Sequence, residues 1–142
     1  MIRELEANDI NKVMEIWKHA TIEAHSFIDK EYWLDKYNEV KGVYIPMSKT
    51  FIYEESNDIK GFISILNNDF IGALFVDVSS QGKGIGSQLV DFVKERYHTL
   101  SLAVYENNKK AVEFYKSIGF ILYEEKIDED TNEKELIMRC EY

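Results

Sequence analysis

The stretch Val76–Val90, VDVSSQGKGIGSQLV, sets Gly82, Gly84 and Gly86 on alternate positions between an apolar run and an amphipathic one. Glycine has no Cβ, so a ligand can approach such a backbone closely. A helix that starts here leaves several N–H groups without partners, and its dipole puts partial positive charge at the same point. A strand, a glycine hinge and a helix therefore suit an anion site, with Lys83 as a cation at its rim, and suit equally a tight strand–helix turn that binds nothing. The spacing narrows the anion. A nucleotide P-loop needs four residues between its first glycine and a Gly-Lys-Ser/Thr ending, which is absent. The dinucleotide pattern G-x-G-x-x-G would need glycine where Ser87 stands. That pattern also opens its domain, with an acidic residue about 20 positions on, whereas this hinge lies past the middle of the chain. What remains is Q-x-x-G-x-G, carried by Gln81, Gly84 and Gly86.

A second stretch, Glu106–Phe120 (ENNKKAVEFYKSIGF), combines Asn108 at a helix start with Ala111, Tyr115, Gly119 and Phe120. With both motifs in place, the chain resembles the GCN5-related N-acetyltransferase family over essentially its whole length, as a small bacterial-type member. AHSFI (Ala24–Ile28) is also similar to a stretch found in a small bacterial subgroup. The resemblance implies that Gly82, Lys83, Gly84, Ile85, Gly86 and Ser87 receive the pyrophosphate of acetyl-coenzyme A. It implies that Leu74, Phe75 and Val76 pair with pantetheine through main-chain atoms. A strand edge can hydrogen-bond an extended amide chain as it would another strand. Asn108 can cap its helix, and the resemblance adds a contact to the cofactor arm. Acetyl-coenzyme A is the expected cosubstrate, with no metal.

Tyr115 falls on the apolar face with Ala111 and Ile118, as a core tyrosine would. The resemblance gives it a second task, as proton donor to the departing thiolate. A phenol of pKa about 10 can serve a thiolate whose acid has pKa about 8.5 once charge develops on sulfur. The base that relieves the acceptor ammonium, pKa about 10.4, is harder to find. Some relatives carry glutamate at the position of Ala103, and alanine cannot replace it. His25 is the first candidate and Glu106 the second; His19 and His98 have less to recommend them. Residues 17–47 form the expected acceptor wall, rich in aromatic side chains whose faces attract ammonium. His25, Phe27 and Trp33 are its candidate substrate contacts. The expected reaction moves acetyl from acetyl-coenzyme A to a primary amine of a small molecule or a polypeptide, by direct attack on the thioester. Transfer of another acyl group, or a coenzyme A-binding module without turnover, are the alternatives.

The elements that must position these residues follow from periodicity. Ile2–Leu5 is a short strand. Asn8 or Asp9 can cap a helix carrying Ile10, Val13, Met14, Trp17, Thr21 and Ala24 on one face. Residues 30–40 form a weaker helix, ended by Gly42 and Pro46. Thr50–Glu55 and Gly61–Leu66 alternate as a hairpin across SNDIK. Phe70–Val78 is apolar enough for a central strand buried on both faces. Helices follow at Ile85–Val93 and Ala111–Ile118, with the strand Leu100–Val104 between them and Gly119 closing the second. Phe120–Lys126 and Glu135–Cys140 make a last hairpin. The fold class is α/β: a mixed, mostly antiparallel sheet of about seven strands flanked by about four helices, the acyl-CoA N-acyltransferase fold, in one domain over 1–142. The net charge of −9 disfavours nucleic acid and suits a cationic acceptor. A single cysteine, no apolar run near the roughly 18 residues of a membrane span and a polar N-terminus point to a cytoplasmic protein off the membrane; either a monomer or a homodimer is expected.

Overall fold

The computed structural model describes residues 1–141. Its strands are β1 (Ile2–Glu4), β2 (Lys49–Glu55), β3 (Asp58–Leu66), β4 (Phe70–Val76), β5 (Thr99–Tyr105), β6 (Ile121–Ile127) and β7 (Lys134–Glu141). The longer helices are α1 (Ile10–Ala24), α2 (Lys30–Glu39), α4 (Ile85–Lys94) and α5 (Lys109–Ser117), with a single turn, α3, at Ile45–Met47. The sheet order is β1-β2-β3-β4-β5-β7-β6, and only β4 and β5 run parallel. This is the mixed seven-stranded sheet that the sequence implies.

Turn chemistry sets the register of the first half. Ser56 and Asn57 both take positive φ, 54° and 63°. Such a two-residue turn matches the twist of the strands it joins. β3 therefore resumes at Asp58, earlier than the polar SNDIK suggests. The two faces of the sheet then fill separately. Leu89, Val90 and Val93 of α4 and Val112 and Tyr115 of α5 pack with Ile63, Leu102 and Met138 on one face. Val13, Met14 and Trp17 of α1 pack with Ile52 and Phe62 on the other, joined by Trp33 and Tyr37 from α2.

Three local expectations are corrected. Asp9 does not cap α1. Its carboxylate accepts from the Glu6 N–H at 2.7 Å and from Arg3 Nη1 and Nη2 at 2.8 and 3.1 Å. A bidentate charged partner outcompetes a cap bond. Gly42 and Pro46 do not end the second helical region, which runs through a π-helical stretch, Val40–Tyr44, into α3. Pro46 is tolerated there because it comes just after the π-helical stretch, where the change of pitch interrupts the regular i→i−4 ladder and a missing N–H costs less than in an unbroken α-helix. Finally, β4 is not buried on both faces: after Ile71 no residue of it is fully buried. Here the sheet opens.

Candidate active site

β4 and β5 pair at Phe70 and Ser101 and then diverge. The β3–β4 register slips between Ser64 and Ile65, opposite Gly72. A bulge bends its strand, and this one lies where β4 leaves β5. The backbone edge of β4 beyond it has no strand partner on the β5 side. The gap widens into a cleft of about 990 Å³. It is bordered by α4 and α5 residues from one face (Ile85, Gly86, Ala111, Phe114, Tyr115) and by α1–α2 residues from the other (Trp17, Thr21, His25, Phe27, Trp33). The cleft therefore passes through the sheet. Leu74, Phe75 and Val76 form one lip, and Leu102 to Tyr105 form the other.

The glycine hinge sits at the mouth on the α4 side. Gly82 and Gly84 both have φ of 81°, in the left-handed region that a side chain disfavours. A Cβ on either would meet nothing within 4 Å. The space over the loop is open, so backbone conformation rather than packing requires glycine, and a ligand has room to approach the main chain. Gly86 differs: its Cβ would meet the Phe114 ring at 3.4 Å, so it lets α5 approach α4. Gln81 points inward, its Nε2 donating to Val76 O at 3.1 Å, and so fastens the loop to the end of β4. Ile85 and Ser87 border the cleft, but Lys83 is exposed and outside its lining.

Two cations that sequence reasoning passed over do border it, Lys109 and Lys110 in the first turn of α5. Lysine at a helix N-terminus opposes the dipole. That misplacement in ENNKKAVEF was the available signal of an anionic ligand. Asn108 caps the same helix, its Oδ1 accepting from Ala111 N at 3.3 Å.

The ring of Tyr115 is core, packed on Phe114 and Phe120 with centroids 5.3 and 5.6 Å away. The residue borders the cleft, and its hydroxyl makes no hydrogen bond to any described residue. Burial pushes its pKa up, so the phenol keeps its proton throughout the neutral range. A packed ring and an uncommitted hydroxyl are what a held acid requires.

On the α1–α2 side, His25 is 8% exposed and in ring contact with Phe27, Trp33 and Tyr105. Its Nδ1 lies 2.7 Å from Thr21 O. A carbonyl only accepts, so Nδ1 carries the hydrogen and Nε2 holds the lone pair. Asn108 Nδ2 lies 3.4 Å from that Nε2. Burial lowers the His25 pKa. The ring is thus a neutral strut between α1 and the cap of α5, with its lone pair already addressed. Trp33 leaves its Nε1–H buried without an acceptor among the described residues, a deficit of about 1–3 kcal/mol that a bound oxygen would remove.

Glu106 does not reach the site; it pairs with Lys134 at 3.4 Å and lies outside the lining. His19 pairs with Glu15, and His98 is also outside the cleft. Ala103 borders the cleft. A carboxylate absent from the sequence candidates, Glu135 of β7, borders it as well. Burial and then Asp128 raise its pKa.

A family model described as an acetyltransferase (GNAT) domain matches residues 18–138. The peptidyl-lysine N-acetyltransferase YiaC of Escherichia coli (strain K12) is 34% identical over 120 residues, covering 84% of this chain and 82% of that one. The solution structure of apo-form YjaB from Escherichia coli superposes with a TM-score of 0.84 at 25% identity, covering 98% of this chain and 95% of that one. PaiA N-acetyltransferase from Thermoplasma acidophilum, solved with coenzyme A, shares the fold with a TM-score of 0.81 at 20% identity, covering 100% and 98%.

Proposed function

The chain belongs to the GNAT acetyltransferase family and uses acetyl-coenzyme A to acetylate an amine, and from that premise we propose that its acceptor is a lysine side chain of a polypeptide. In this reading the whole chain, 1–142, acts as one transferase domain. Two things support the acceptor. YiaC and YjaB are both named peptidyl-lysine N-acetyltransferases. The acceptor side of the cleft is aromatic and acidic, with one indole N–H free for a backbone carbonyl.

The fit to the coenzyme rests on the hinge. Open space above two left-handed glycines suits a pyrophosphate, and the unpaired edge of β4 suits the amides of pantetheine. In the proposed roles, the N–H groups of Gly82 to Ser87 receive the pyrophosphate, with Lys109 and Lys110 flanking it. Lys83 screens it from the rim. The β4 edge at Leu74, Phe75 and Val76 aligns the pantetheine arm. When bound, the coenzyme supplies an acetyl thioester whose carbonyl carbon an amine attacks and whose sulfur leaves. Tyr115 holds the proton that sulfur needs. The observation that carries this role is its uncommitted hydroxyl on a packed ring at the breach in the sheet. Asn108 holds the start of α5, and His25 holds Asn108, which fixes Tyr115 two turns further along the same helix. Phe27 and Trp33, with Tyr105, wall the acceptor side.

The test is thiol release from acetyl-coenzyme A with four acceptors: Nα-acetyl-lysine methylamide, a lysine-containing peptide, spermidine, and a peptide whose only amine is its N-terminus. The two lysine acceptors should give the highest kcat/KM. Preference for spermidine or for the N-terminal amine would overturn the lysine assignment.

A further inference from the structure

Two carboxylates border the cleft, Glu23 and Glu135. Glu23 is exposed on α1, where water solvates it; Glu135 is half-buried in the sheet. Around it, Asp128 accepts from the Tyr105 hydroxyl at 2.6 Å, Asp130 meets Lys36 at 3.8 Å, and Glu106 meets Lys134 at 3.4 Å. Glu125 is also paired with Lys134. Glu135 alone of these makes no hydrogen bond or ion pair with a described residue. Lys126 stands opposite Glu135 on β6 and acts on it only through its charge, so this partly desolvated carboxylate still has its hydrogen-bond acceptors to offer.

Its place in the sheet says which donor. Glu135 stands opposite Tyr105 on β5, and Ala103 stands opposite Ile137. Directly opposed residues share a face, so Ala103, Tyr105, Ile137 and Glu135 all look toward α1 and α2. Ala103 and Glu135 are diagonal neighbours, about 7–8 Å apart and within reach of a long side chain. The small methyl of Ala103 leaves the intervening room empty. Tyr105, which touches His25, Phe27 and Trp33, places an aromatic wall beside the same spot.

We propose that Glu135 holds the ammonium of the acceptor and takes the proton that must leave before the nitrogen can attack. The proposal rests on the transferase reading above. Glu135 accepts one proton from the ammonium. The freed nitrogen bonds to the acetyl carbon as the carbon–sulfur bond breaks, and sulfur keeps the electron pair. Sulfur takes the phenolic proton of Tyr115, and the second proton of the nitrogen restores the phenol. Glu135 then releases its proton to solvent, so acetyl amide, free thiol and one proton balance the ammonium and thioester. Burial and Asp128 raise the carboxyl toward the working pH, Lys126 on β6 lowers it, and Tyr105 and Tyr32 face it from β5 and α2. A base works best with its pKa near the operating pH.

The test is Glu135→Gln, which keeps shape and removes charge. Two readouts are needed: kcat/KM against pH for Nα-acetyl-lysine methylamide, and the affinity of that amide for the enzyme saturated with coenzyme A. At pH 7.5 the variant should lose about 100-fold in kcat/KM and at least tenfold in amide affinity. Its rate should climb toward the amine pKa of about 10.4, because the free amine then needs no base. Adding Ala103→Glu to Glu135→Gln moves the carboxylate across the diagonal and should restore at least tenfold, which a folding defect would not allow. A wild type that binds the amide through Glu135 yet transfers no acetyl group overturns the transferase reading and keeps the ammonium site. A wild type that transfers, matched by Glu135→Gln in rate, pH profile and affinity, overturns the role of Glu135.

Discussion

The two sides of the breached sheet meet one cleft with opposite materials. On the α4–α5 side the site is mostly backbone: two glycines at φ 81° with nothing above them, a helix N-terminus, and Lys109 and Lys110 at the start of the next helix. On the α1–α2 side it is side chains: His25 and Tyr105, which touch each other and both Phe27 and Trp33, with Glu135 beside them. In the roles proposed above, the contrast follows from what each side binds. A pyrophosphate is a constant ligand, and N–H groups with cations satisfy it whatever else changes. An acceptor amine needs aromatic faces and negative charge at chosen points, which only side chains supply. Tyr115 belongs to both, packed in one core and bordering the cleft.

The largest effect should come from that shared residue. Tyr115→Phe keeps the packed ring and deletes the hydroxyl. kcat and kcat/KM should drop together by about 100-fold, the low end for an acid serving a thiolate. Affinity for acetyl-coenzyme A, read by calorimetry, should be unchanged. Turnover within threefold of wild type would make Tyr115 a core residue only.

A backbone site should break through the backbone. Gly84→Val puts a branched side chain at φ 81° and into the open space over the loop. Affinity for acetyl-coenzyme A should fall at least tenfold, about 1.4 kcal/mol, while lysine-amide binding suffers only through the lost coenzyme. Circular dichroism confirms folding, and an unchanged dissociation constant in folded protein would sink the phosphate-loop reading.

The flanking cations should matter less and be screened. Lys109→Ala and Lys110→Ala should each weaken coenzyme binding by a few-fold in low salt. The deficit should shrink as ionic strength rises toward 0.5 M, where the screening length is only a few ångströms. Lys83→Ala, outside the lining, should cost less than either. A larger loss there would move the electrostatic weight back to the rim of the hinge.

The smallest effect separates the sides by pH. Burial depresses the His25 pKa below its usual 6.5, so the unfolded chain binds the proton more readily than the fold does. The stability this contributes is present above about pH 6.5 and is lost as pH falls through the lowered folded value. Melting temperature should decline between pH 7.5 and 5.5, and His25→Gln should flatten that decline. Asp9 does not confuse the window. Arg3 holds its carboxyl below the usual carboxylate range, so its contribution disappears only at more acidic pH. An equal decline in His25→Gln would assign the acid sensitivity elsewhere.

These two sides were unequally legible in the sequence. The hinge could be read because its chemistry is local: glycine spacing, a helix start and the Gln81 that fastens the loop all lie within six consecutive residues. Asn108 and Tyr115 were legible for the same reason, since one helix carries both at fixed spacing. Lys109 and Lys110 were also local, and only the dipole argument needed to find them was missing.

The acceptor side depends on register instead. Nothing in the spacing of Ala103 and Glu135 says that they are diagonal neighbours, because β5, α5, β6 and a turn separate them along the chain. Only the antiparallel pairing of β5 with β7 brings the carboxylate beside the alanine. Glu106, closer in sequence to the strand end, turned outward to Lys134. The opening of the sheet was hidden too. FIGALFVDV has the composition of a fully buried strand, and composition cannot report that β4 parts from β5 after one pair. The sequence by itself determined the elements, the glycine loop at the start of α4 and the helix that carries Asn108 and Tyr115, because periodicity, turn chemistry and helix ends act over a few residues. The tertiary structure alone decided where the sheet splits and which distant side chains face the gap, because strand register and a bulge are settled by packing across the whole domain.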